Sequence, residues 1–434
     1  MHLTKANSID NIYRAFLANP IDKDDLAFYA ETQAARGGKA FRKRIVNQLA
    51  KLNDIDSKYL MVGYRGCGKS TELTKLQEDL AKETAEGNRH LVLSYSIKNE
   101  LDPINLNYIQ LFIITMERLF ETIKDNNLGI NQEYLTLITT WVKSTEIQEI
   151  NETYKLSELR AEAKFDVPFF KNFFANFRLS SNVSSSMKQI MKQVIEPRLP
   201  ELISLCNQLI TEVKSRLHRI QKDNLLIIVE DFDKITYEKA KEIFIGHVGT
   251  ITQLNVNMIF TFPISLFYSA WWSSQIKNYF RDYYEFPMIK VHEKDGTDST
   301  QGIACMREMI GKRMDLTLFE DDQTIDEMIR MSGGVLWDLF KLIRDAAEFA
   351  LDEDRPKISA NDYRKALEYL INDYGNTITD VTIEGKLYTT EDFYKVLTQL
   401  AKDGTYENGI EILHLRQTLL VLGYNTGGAC PRIP

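Results

Sequence analysis

One segment near the amino end of the chain constrains its fold more than any other. Residues 59–71 read Tyr-Leu-Met-Val-Gly-Tyr-Arg-Gly-Cys-Gly-Lys-Ser-Thr, an apolar stretch followed by the pattern G-x-x-x-x-G-K-[ST]. Glycine permits backbone angles that a side chain obstructs, so successive N–H groups of such a loop can turn inward around an anion. The pattern therefore predicts a buried strand, a phosphate-binding loop and a helix that begins at the phosphate.

The positions of this loop carry different parts of the predicted site. Lys69 is expected to reach the β- and γ-phosphates as a point charge, and Ser70 to offer its hydroxyl to Mg²⁺. The amino end of the following helix adds a favourable dipole. The predicted phosphate-binding residues are Gly63, Tyr64, Arg65, Gly66, Cys67, Gly68, Lys69, Ser70 and Thr71.

A second segment, far downstream, supplies acids. Residues 224–235 read Asn-Leu-Leu-Ile-Ile-Val-Glu-Asp-Phe-Asp-Lys-Ile, which is typical of a buried strand that ends in carboxylates. Counted from the apolar run, Glu230 takes the place of the Mg²⁺-side acid, and Asp231 that of the acid that orients water. This order reverses the common Asp-Glu. Either the strand end is shifted, or Asp231 itself faces the metal and Asp233 assists.

Further strands are predicted at 90–96, 255–261 and 285–291, each separated from the next by helix-like sequence. This alternation predicts an α/β fold with a parallel sheet. Because the strand at 90–96 intervenes between the two nucleotide segments, the phosphate-loop strand need not be the neighbour of the acidic strand.

Two polar residues near the later strands are candidates for catalytic roles. Thr261 ends the fourth strand, where a polar group can lie between the acids and the γ-phosphate; equally, it can satisfy the strand end before Pro263. Arg281 precedes the fifth strand, where an arginine finger can reach the phosphate of a neighbouring subunit. The alternative for Arg281 is an ordinary surface arginine.

Four segments together carry a resemblance to a known family: 65–73, 227–234, 259–266 and 332–339. Over roughly residues 10–370 the chain resembles prokaryotic AAA-type P-loop ATPases, nearest to the branch with origin-recognition-like and STAND-type ATPases. The resemblance implies ATP, an amino-terminal segment that covers the adenine, and a small helical lid. No guanine-specifying Asn-Lys-x-Asp sequence occurs. Family members usually carry a lid arginine where this chain has Trp337.

The predicted organisation has four parts. Residues 1–52 lead into the nucleotide site, 53–295 form the ATPase core with a helical insertion at about 99–222, 296–373 form the lid, and 374–434 form a winged-helix-like module. Within the insertion, the aromatic-rich stretch 165–177 and the polar joint 180–186 suggest a partner surface or a mobile arm. The alternative is helices that pack on their own domain.

Composition limits the environment and the partners. The net charge of -8 argues against broad coating of nucleic acid, although a local basic face can coexist with it. On the second helix of the last module only Arg416 and His414 could meet DNA. The apolar runs are far shorter than the roughly 20 residues of a membrane span. The amino terminus lacks a secretory pattern, which predicts a cytoplasmic protein.

Three functions are expected from these features. The first is an ATP-hydrolysing switch that couples its nucleotide state to a partner protein or to self-assembly, as in bacterial anti-phage defence. The second is a DNA-binding ATPase of origin-recognition type, whose turnover DNA would stimulate. The third is a nucleotide-binding scaffold without useful hydrolysis, which the reversed Glu230–Asp231 order and Trp337 would suit.

Overall fold

The computed structural model of this chain describes most of its length. The described residues are 2–38, 40–52, 55–82, 89–101, 106–129, 131, 133–134, 136–137, 140–141, 195–293, 295–404 and 409–422. The aromatic-rich stretch at 165–177 and the polar joint at 180–186 lie outside them.

A five-stranded parallel sheet forms the centre of the larger body. The strands are β1 (Lys58–Val62), β2 (His90–Ser96), β3 (Asn224–Glu230), β4 (Asn257–Phe262) and β5 (Asp282–Glu285). Their spatial order is β2-β3-β4-β1-β5, and all four pairings are parallel. Every residue of β1 and β4 is buried, as expected for strands covered on both faces. The predicted α/β parallel sheet is confirmed, and β4 separates β1 from the acidic strand β3.

The fifth strand differs from its prediction. The sequence indicated a strand at 285–291, but β5 ends at Glu285. Pro287, two residues after the end of β5, has no N–H to donate to a neighbouring strand. The backbone groups that follow it form hydrogen bonds outside the sheet. Lys290 N donates to the carbonyl of Ala35 at 2.9 Å, and the carbonyl of Val291 accepts from Ser299 N at 2.9 Å. The segment is buried but belongs to the connection behind the sheet.

Helices cover the sheet, and among the described residues two of the long ones come from the predicted insertion. The longer helices of this body are α1 (Phe41–Lys51), α2 (Lys69–Ala81), α3 (Tyr108–Asp125), α4 (Leu199–Arg216) and α5 (Tyr237–Lys241), with four-residue helices at Ile97–Glu100, Val248–Ile251 and Ile264–Phe267. A capping box of Asn107 and Gln110 starts α3. The apolar faces of α3 and α4 join the core of the sheet, so these parts of the insertion pack on their own domain.

A second body contains four helices with a separate apolar core. They are α6 (Thr300–Arg313), α7 (Asp322–Met331), α8 (Leu336–Asp352) and α9 (Ala360–Thr377). The start of the chain joins this body: Ile9, Ile12 and Phe16 lie in its core. Ala6 also exchanges backbone hydrogen bonds with the residues on either side of Met314. The first residues therefore belong to this second body, which contains the predicted lid and is called the lid below. The chain then crosses to the sheet body through residues 17–40 and returns through residues 286–299.

A small third unit follows. An antiparallel hairpin, β6 (Val381–Ile383) and β7 (Lys386–Tyr388), precedes α10 (Thr390–Asp403) and α11 (Ile410–Gln417). The guanidinium of Arg416 on α11 is buried 4.1 Å from the ring of Tyr268 in the sheet body. This position is unsuited to a DNA contact. In the described part of the chain, no helix combines the length and apolarity needed to cross a membrane.

Candidate nucleotide-binding site

The loop after β1 has the backbone that the pattern requires. Gly66 and Gly68 have φ angles of 74° and 94°, in the left-handed region that side chains rarely adopt. At Gly63 a Cβ would lie 2.6 Å from the carbonyl oxygen of Phe286, so the close approach excludes any side chain. Helix α2 begins at Lys69 without a side-chain cap. Its first N–H groups are therefore available to an anion.

An arginine from the amino-terminal segment fixes this loop. The buried guanidinium of Arg36 donates to the carbonyl of Cys67 at 2.6 Å, to Thr32 Oγ1 at 2.9 Å and to the carbonyl of Pro287. It also stacks 4.0 Å from the ring of Phe286. Because C=O and N–H point in opposite directions across a trans peptide, holding the Cys67 carbonyl also sets the direction of the next N–H. Sequence reasoning missed Arg36; its only signal was the Arg-Gly-Gly sequence before α1.

Lys69 is buried and fully engaged. Its Nζ lies 2.8 Å from Asp233 Oδ2 and donates to the carbonyls of Gly63 at 3.1 Å and Tyr64 at 2.7 Å. Burial lowers its pKa most strongly, but the charge of Asp233 and the other neighbouring groups outweigh it, so the pKa is raised above its ordinary value. The buried ammonium therefore has an anionic partner, Asp233, within the protein.

The three acids after β3 have different surroundings. Glu230 accepts from Ser94 Oγ at 2.9 Å and lies beside the hydroxyl of Ser70. Burial raises the pKa of Glu230 above its ordinary value. Asp231 has a positive φ of 73°; its Oδ1 lies 2.5 Å from Lys234 Nζ, and its Oδ2 accepts from Ser96. Glu230 is thus the acid next to the predicted magnesium-binding serine.

Two other predicted residues, Thr261 and Thr71, use their hydroxyl groups to accept hydrogen bonds from backbone N–H groups. Thr261 is buried, and its hydroxyl accepts from the N–H of Phe232 at 3.0 Å, which fixes the turn that follows Asp231. Its role as a sensor stays a prediction. The hydroxyl of Thr71 accepts from Ile21 N at 3.2 Å and so attaches the amino-terminal segment to α2.

Arg281 lies at the other edge of the sheet. Its backbone N–H donates to the carbonyl of Lys58 at 2.8 Å, at the start of β1, whereas the phosphate loop leaves the end of β1. A strand of this length separates the two edges by about 13 Å. The side chain is exposed. Arg281 therefore cannot serve its own site, and a role toward a neighbouring subunit stays a prediction.

These parts enclose one cavity of about 150 Å³ between the sheet body and the lid. Its lining combines the amino-terminal segment, the phosphate loop, the acids and the lid: Ala18, Asn19, Pro20, Ile21, Phe28, Tyr29, Ala30, Thr32, Arg36, Arg65, Gly66, Gly68, Lys69, Ser70, Thr71, Glu72, Asp231, Asp233, Lys234, Phe286, Met309, Arg313, Leu336, Trp337 and Phe340. The lining contains apolar side chains as well as charged ones. Such a mixture suits a ligand that joins a planar base to a phosphate chain.

The site also fits a divalent ion held jointly with phosphate. Among the described residues, His, Cys, Asp and Glu nowhere form a group of three that could hold a metal alone. Mg²⁺ usually takes only one or two protein ligands and fills its remaining positions with phosphate oxygens and water. Ser70 and Glu230, side by side at the loop, match that smaller protein share.

Comparison with known proteins gives a fold likeness only. No protein-family model matches the sequence, and no curated protein matches it. Among solved structures, the chain is similar to the ORC2 protein of Aeropyrum pernix in ADPNP–ADP complexes, with 12% identity, TM-score 0.44, and coverage of 94% of this chain and 90% of that chain. It is also similar to the ORC1 protein of the same organism in complex with DNA, with 11% identity, TM-score 0.40, and coverage of 93% and 89%.

A Walker-type ATPase of Pyrococcus abyssi is similar as well, with 12% identity, TM-score 0.40, and coverage of 93% of this chain and 99% of that chain. These structures are of the kind that the sequence resemblance indicated. At such identities and TM-scores the likeness does not extend to chemistry. The activity of this chain has to rest on its own residues.

Proposed function

We propose that this protein binds ATP with Mg²⁺ and hydrolyses it, as an AAA-like switch whose nucleotide state is passed to a partner protein or to self-assembly. The observation that carries the proposal is the loop itself. The helix after the glycine-rich turn has no side-chain cap, and it begins at the buried Lys69. Ser70 lies beside Glu230. Residues of the second body, the predicted lid, line the same cavity.

The residues of the chain would divide the work as follows. The backbone of the loop and Lys69 would bind the phosphates, and Lys69 would leave Asp233 to do so. Ser70 and Glu230 would hold Mg²⁺, which would neutralise phosphate charge when bound. Asp231 would orient the attacking water and accept its proton, once one of its two oxygens is released from Lys234 or Ser96.

The setting of the switch is part of the proposal. Arg281 is exposed on the sheet edge away from its own site, which suits contact with another copy of the chain. A cytoplasmic role in bacterial anti-phage defence is the setting that we favour. A DNA-binding role of origin-recognition type is less favoured, because Arg416, which the sequence nominated for DNA, is buried against Tyr268.

A second function has specific support. Both carboxylate oxygens of Asp231 are engaged, and the lid presents Trp337 where an arginine is usual. A nucleotide-binding scaffold with negligible turnover would show these features. The scaffold and the ATPase differ in what Asp231 does, so one variant separates them.

The test compares ATP binding and steady-state hydrolysis in the purified full chain and in two variants. Lys69→Ala should lose measurable binding and turnover, because the phosphates lose their cation. Asp231→Asn should bind ATP normally and lose turnover by about 10²–10⁴-fold. Lys82→Ala, an exposed lysine just after α2 that pairs with Glu78, is the matched control and should behave as wild type. Full turnover in Lys69→Ala would refute the assigned site; binding with no Asp231-dependent turnover would establish the scaffold.

A further inference from the structure

Five cations line the nucleotide cavity, and four of them are already engaged by the protein. Lys69 pairs with Asp233, Lys234 pairs with Asp231, and Arg36 donates to the Cys67 carbonyl. The buried guanidinium of Arg313 donates to the carbonyl of Ala15 at 2.6 Å. The fifth cation is Arg65, which has no hydrogen bond or ion pair within the part of the chain that the structure describes.

Arg65 is instead held by the lid. Its guanidinium carbon lies 5.3 Å from the centre of the Trp337 ring, within the range of a cation–π contact. The lid meets the loop at the adjacent glycines too: a Cβ at Gly66 would lie 3.4 Å from Trp337 Cβ, and one at Gly68 would lie 3.3 Å from Leu336 Cδ1. Trp337 is 40% exposed, so this contact is not part of a packed core.

The position of this lid segment is fixed by its own turn. Gly334 has a φ of 78°, and a Cβ there would lie 1.9 Å from the carbonyl of Ile289, so the backbone is pressed against the connection between the two bodies. Ser332 Oγ donates to the Ile329 carbonyl at 2.7 Å and accepts from Gly334 N at 3.2 Å. The start of α8 therefore delivers Trp337 to the phosphate loop in a defined position.

We propose that Arg65 binds the terminal phosphate of ATP from within the phosphate loop, and that Trp337 is the positioning residue that holds its guanidinium there. The inference rests on the proposed function and adds how the site distinguishes ATP from ADP. The lid contributes an aromatic face, and the loop contributes the charge. A guanidinium suits this task because its planar fork can donate two hydrogen bonds to phosphate while its face stays stacked.

The contact also gives the lid a means of responding to nucleotide. With the γ-phosphate present, Arg65 has an anion on one side and Trp337 on the other, so lid and loop are joined through it. With ADP, the guanidinium keeps only the aromatic contact. The difference between the two states is therefore one charge-assisted contact, located where the lid meets the loop.

The test is the affinity of the purified full chain for ADP and for a non-hydrolysable ATP analogue, each with Mg²⁺, measured by calorimetric titration. Arg65→Ala should weaken analogue binding by about tenfold or more and change ADP binding by less than about twofold, because only the terminal phosphate loses its partner. Arg65→Lys, which keeps the charge but not the fork, should lie between. Arg364→Ala, an exposed lid arginine outside the cavity, is the matched control.

The role of Trp337 is tested by the ratio of the affinity for the ATP analogue to the affinity for ADP. Trp337→Ala should reduce the preference for the analogue over ADP by about two- to fivefold, and Trp337→Phe should retain most of it. Equal losses for both nucleotides in Arg65→Ala would overturn the assignment to the terminal phosphate while leaving the nucleotide site in place. If the wild type bound neither nucleotide, the proposed function itself would fail, and the assignment with it.

Discussion

At the scale of single residues, the pair Lys69–Asp233 would govern entry of the phosphates under the proposed function. The two side chains are 4% and 5% exposed and lie 2.8 Å apart. Binding a phosphate there means exchanging one anionic partner for another, because a buried ammonium is costly to leave unpaired. Asp233 thus supplies the partner of this ammonium from within the protein.

Asp233→Asn should therefore increase ATP affinity several-fold, since the competing carboxylate is lost, and should lower the stability of the nucleotide-free protein by about 1–3 kcal/mol. Titration with ATP and thermal unfolding measure the two effects. Asp56→Asn, which removes the exposed partner of Lys214, is the matched control and should change neither affinity nor stability appreciably. A loss of ATP affinity in Asp233→Asn would show that this acid assists binding instead.

The sequence predicted the residue types of the site better than their contacts. The glycines, Lys69 and Ser70 followed from a local pattern, because one loop contains them all. Arg36 could not be found in this way, since its partners Cys67 and Pro287 are brought to it by the fold. The choice between Glu230 and Asp231 likewise depends on backbone conformation that the sequence does not reveal: Asp231 has a positive φ, and its Oδ1 lies beside Lys234 Nζ.

At the scale of elements, α6 attaches the lid to the connection behind the sheet through a glycine. A Cβ at Gly302 would lie 1.7 Å from the carbonyl oxygen of Lys290, so the helix backbone rests directly on that segment. This end of α6 therefore cannot move toward residues 286–291 without displacing them. A glycine within a helix is unfavourable by propensity, but here, in the first turn of α6, packing requires it.

Gly302→Ala should lower the midpoint of thermal unfolding, by the equivalent of about 1–3 kcal/mol, because the added methyl meets backbone. Gly311→Ala on the same helix is the control. Its new methyl would meet only Leu316 Cδ1 at 3.9 Å, an ordinary contact, so the change should stabilise by about 0.5–1 kcal/mol through helix propensity. Equal effects of the two substitutions would contradict the packing argument.

Elements with a strong local signal were predicted well, and elements defined by their neighbours were not. β2 occupies the range expected from its apolar run, 90–96. The segment 286–291 has the same apolar character but is no strand, because its N–H and C=O groups meet Ala35 and Ser299 instead of β1. Hydrophobicity predicts burial, whereas strand pairing depends on which backbone lies alongside.

At the scale of the whole molecule, a buried histidine makes stability depend on pH. His90 opens β2, is 1% exposed, and neither ring nitrogen has a partner among the described residues. Burial lowers its pKa from 6.5 to about 4. The folded state therefore favours the neutral ring, so the contribution of His90 is present above pH 6.5 and is lost as the pH falls toward 4.

Between pH 7 and pH 4, the wild type should lose about 3 kcal/mol relative to His90→Leu, which cannot take up the proton. Thermal or denaturant unfolding of both proteins at several pH values gives the difference. His218→Leu, at an exposed position, is the control and should follow the wild-type curve. Parallel curves for wild type and His90→Leu would contradict the burial argument.

Sharing of sites between copies is also a property of the whole molecule. If Arg281 acts on a neighbour's nucleotide, mixing inactive Arg281→Ala with inactive Asp231→Asn should restore activity, since about a quarter of random interfaces would then pair two intact residues. The ATPase rate of the mixture, compared with each variant alone, measures this. Failure of rescue in a mixture shown to be assembled would count against a shared site.

The path of the chain start has a mechanical consequence. Ile9, Ile12, Ala15 and Phe16 lie in the core of the lid, so two covalent connections, 17–40 and 286–299, join the lid to the sheet body. A body held by one tether can swivel freely, but a body held by two can swing mainly about the line between them. Both tethers also contribute to the wall of the nucleotide cavity. ATP would therefore sit close to the hinge axis, where a small change in phosphate length becomes a larger displacement in the parts of the lid farthest from that axis.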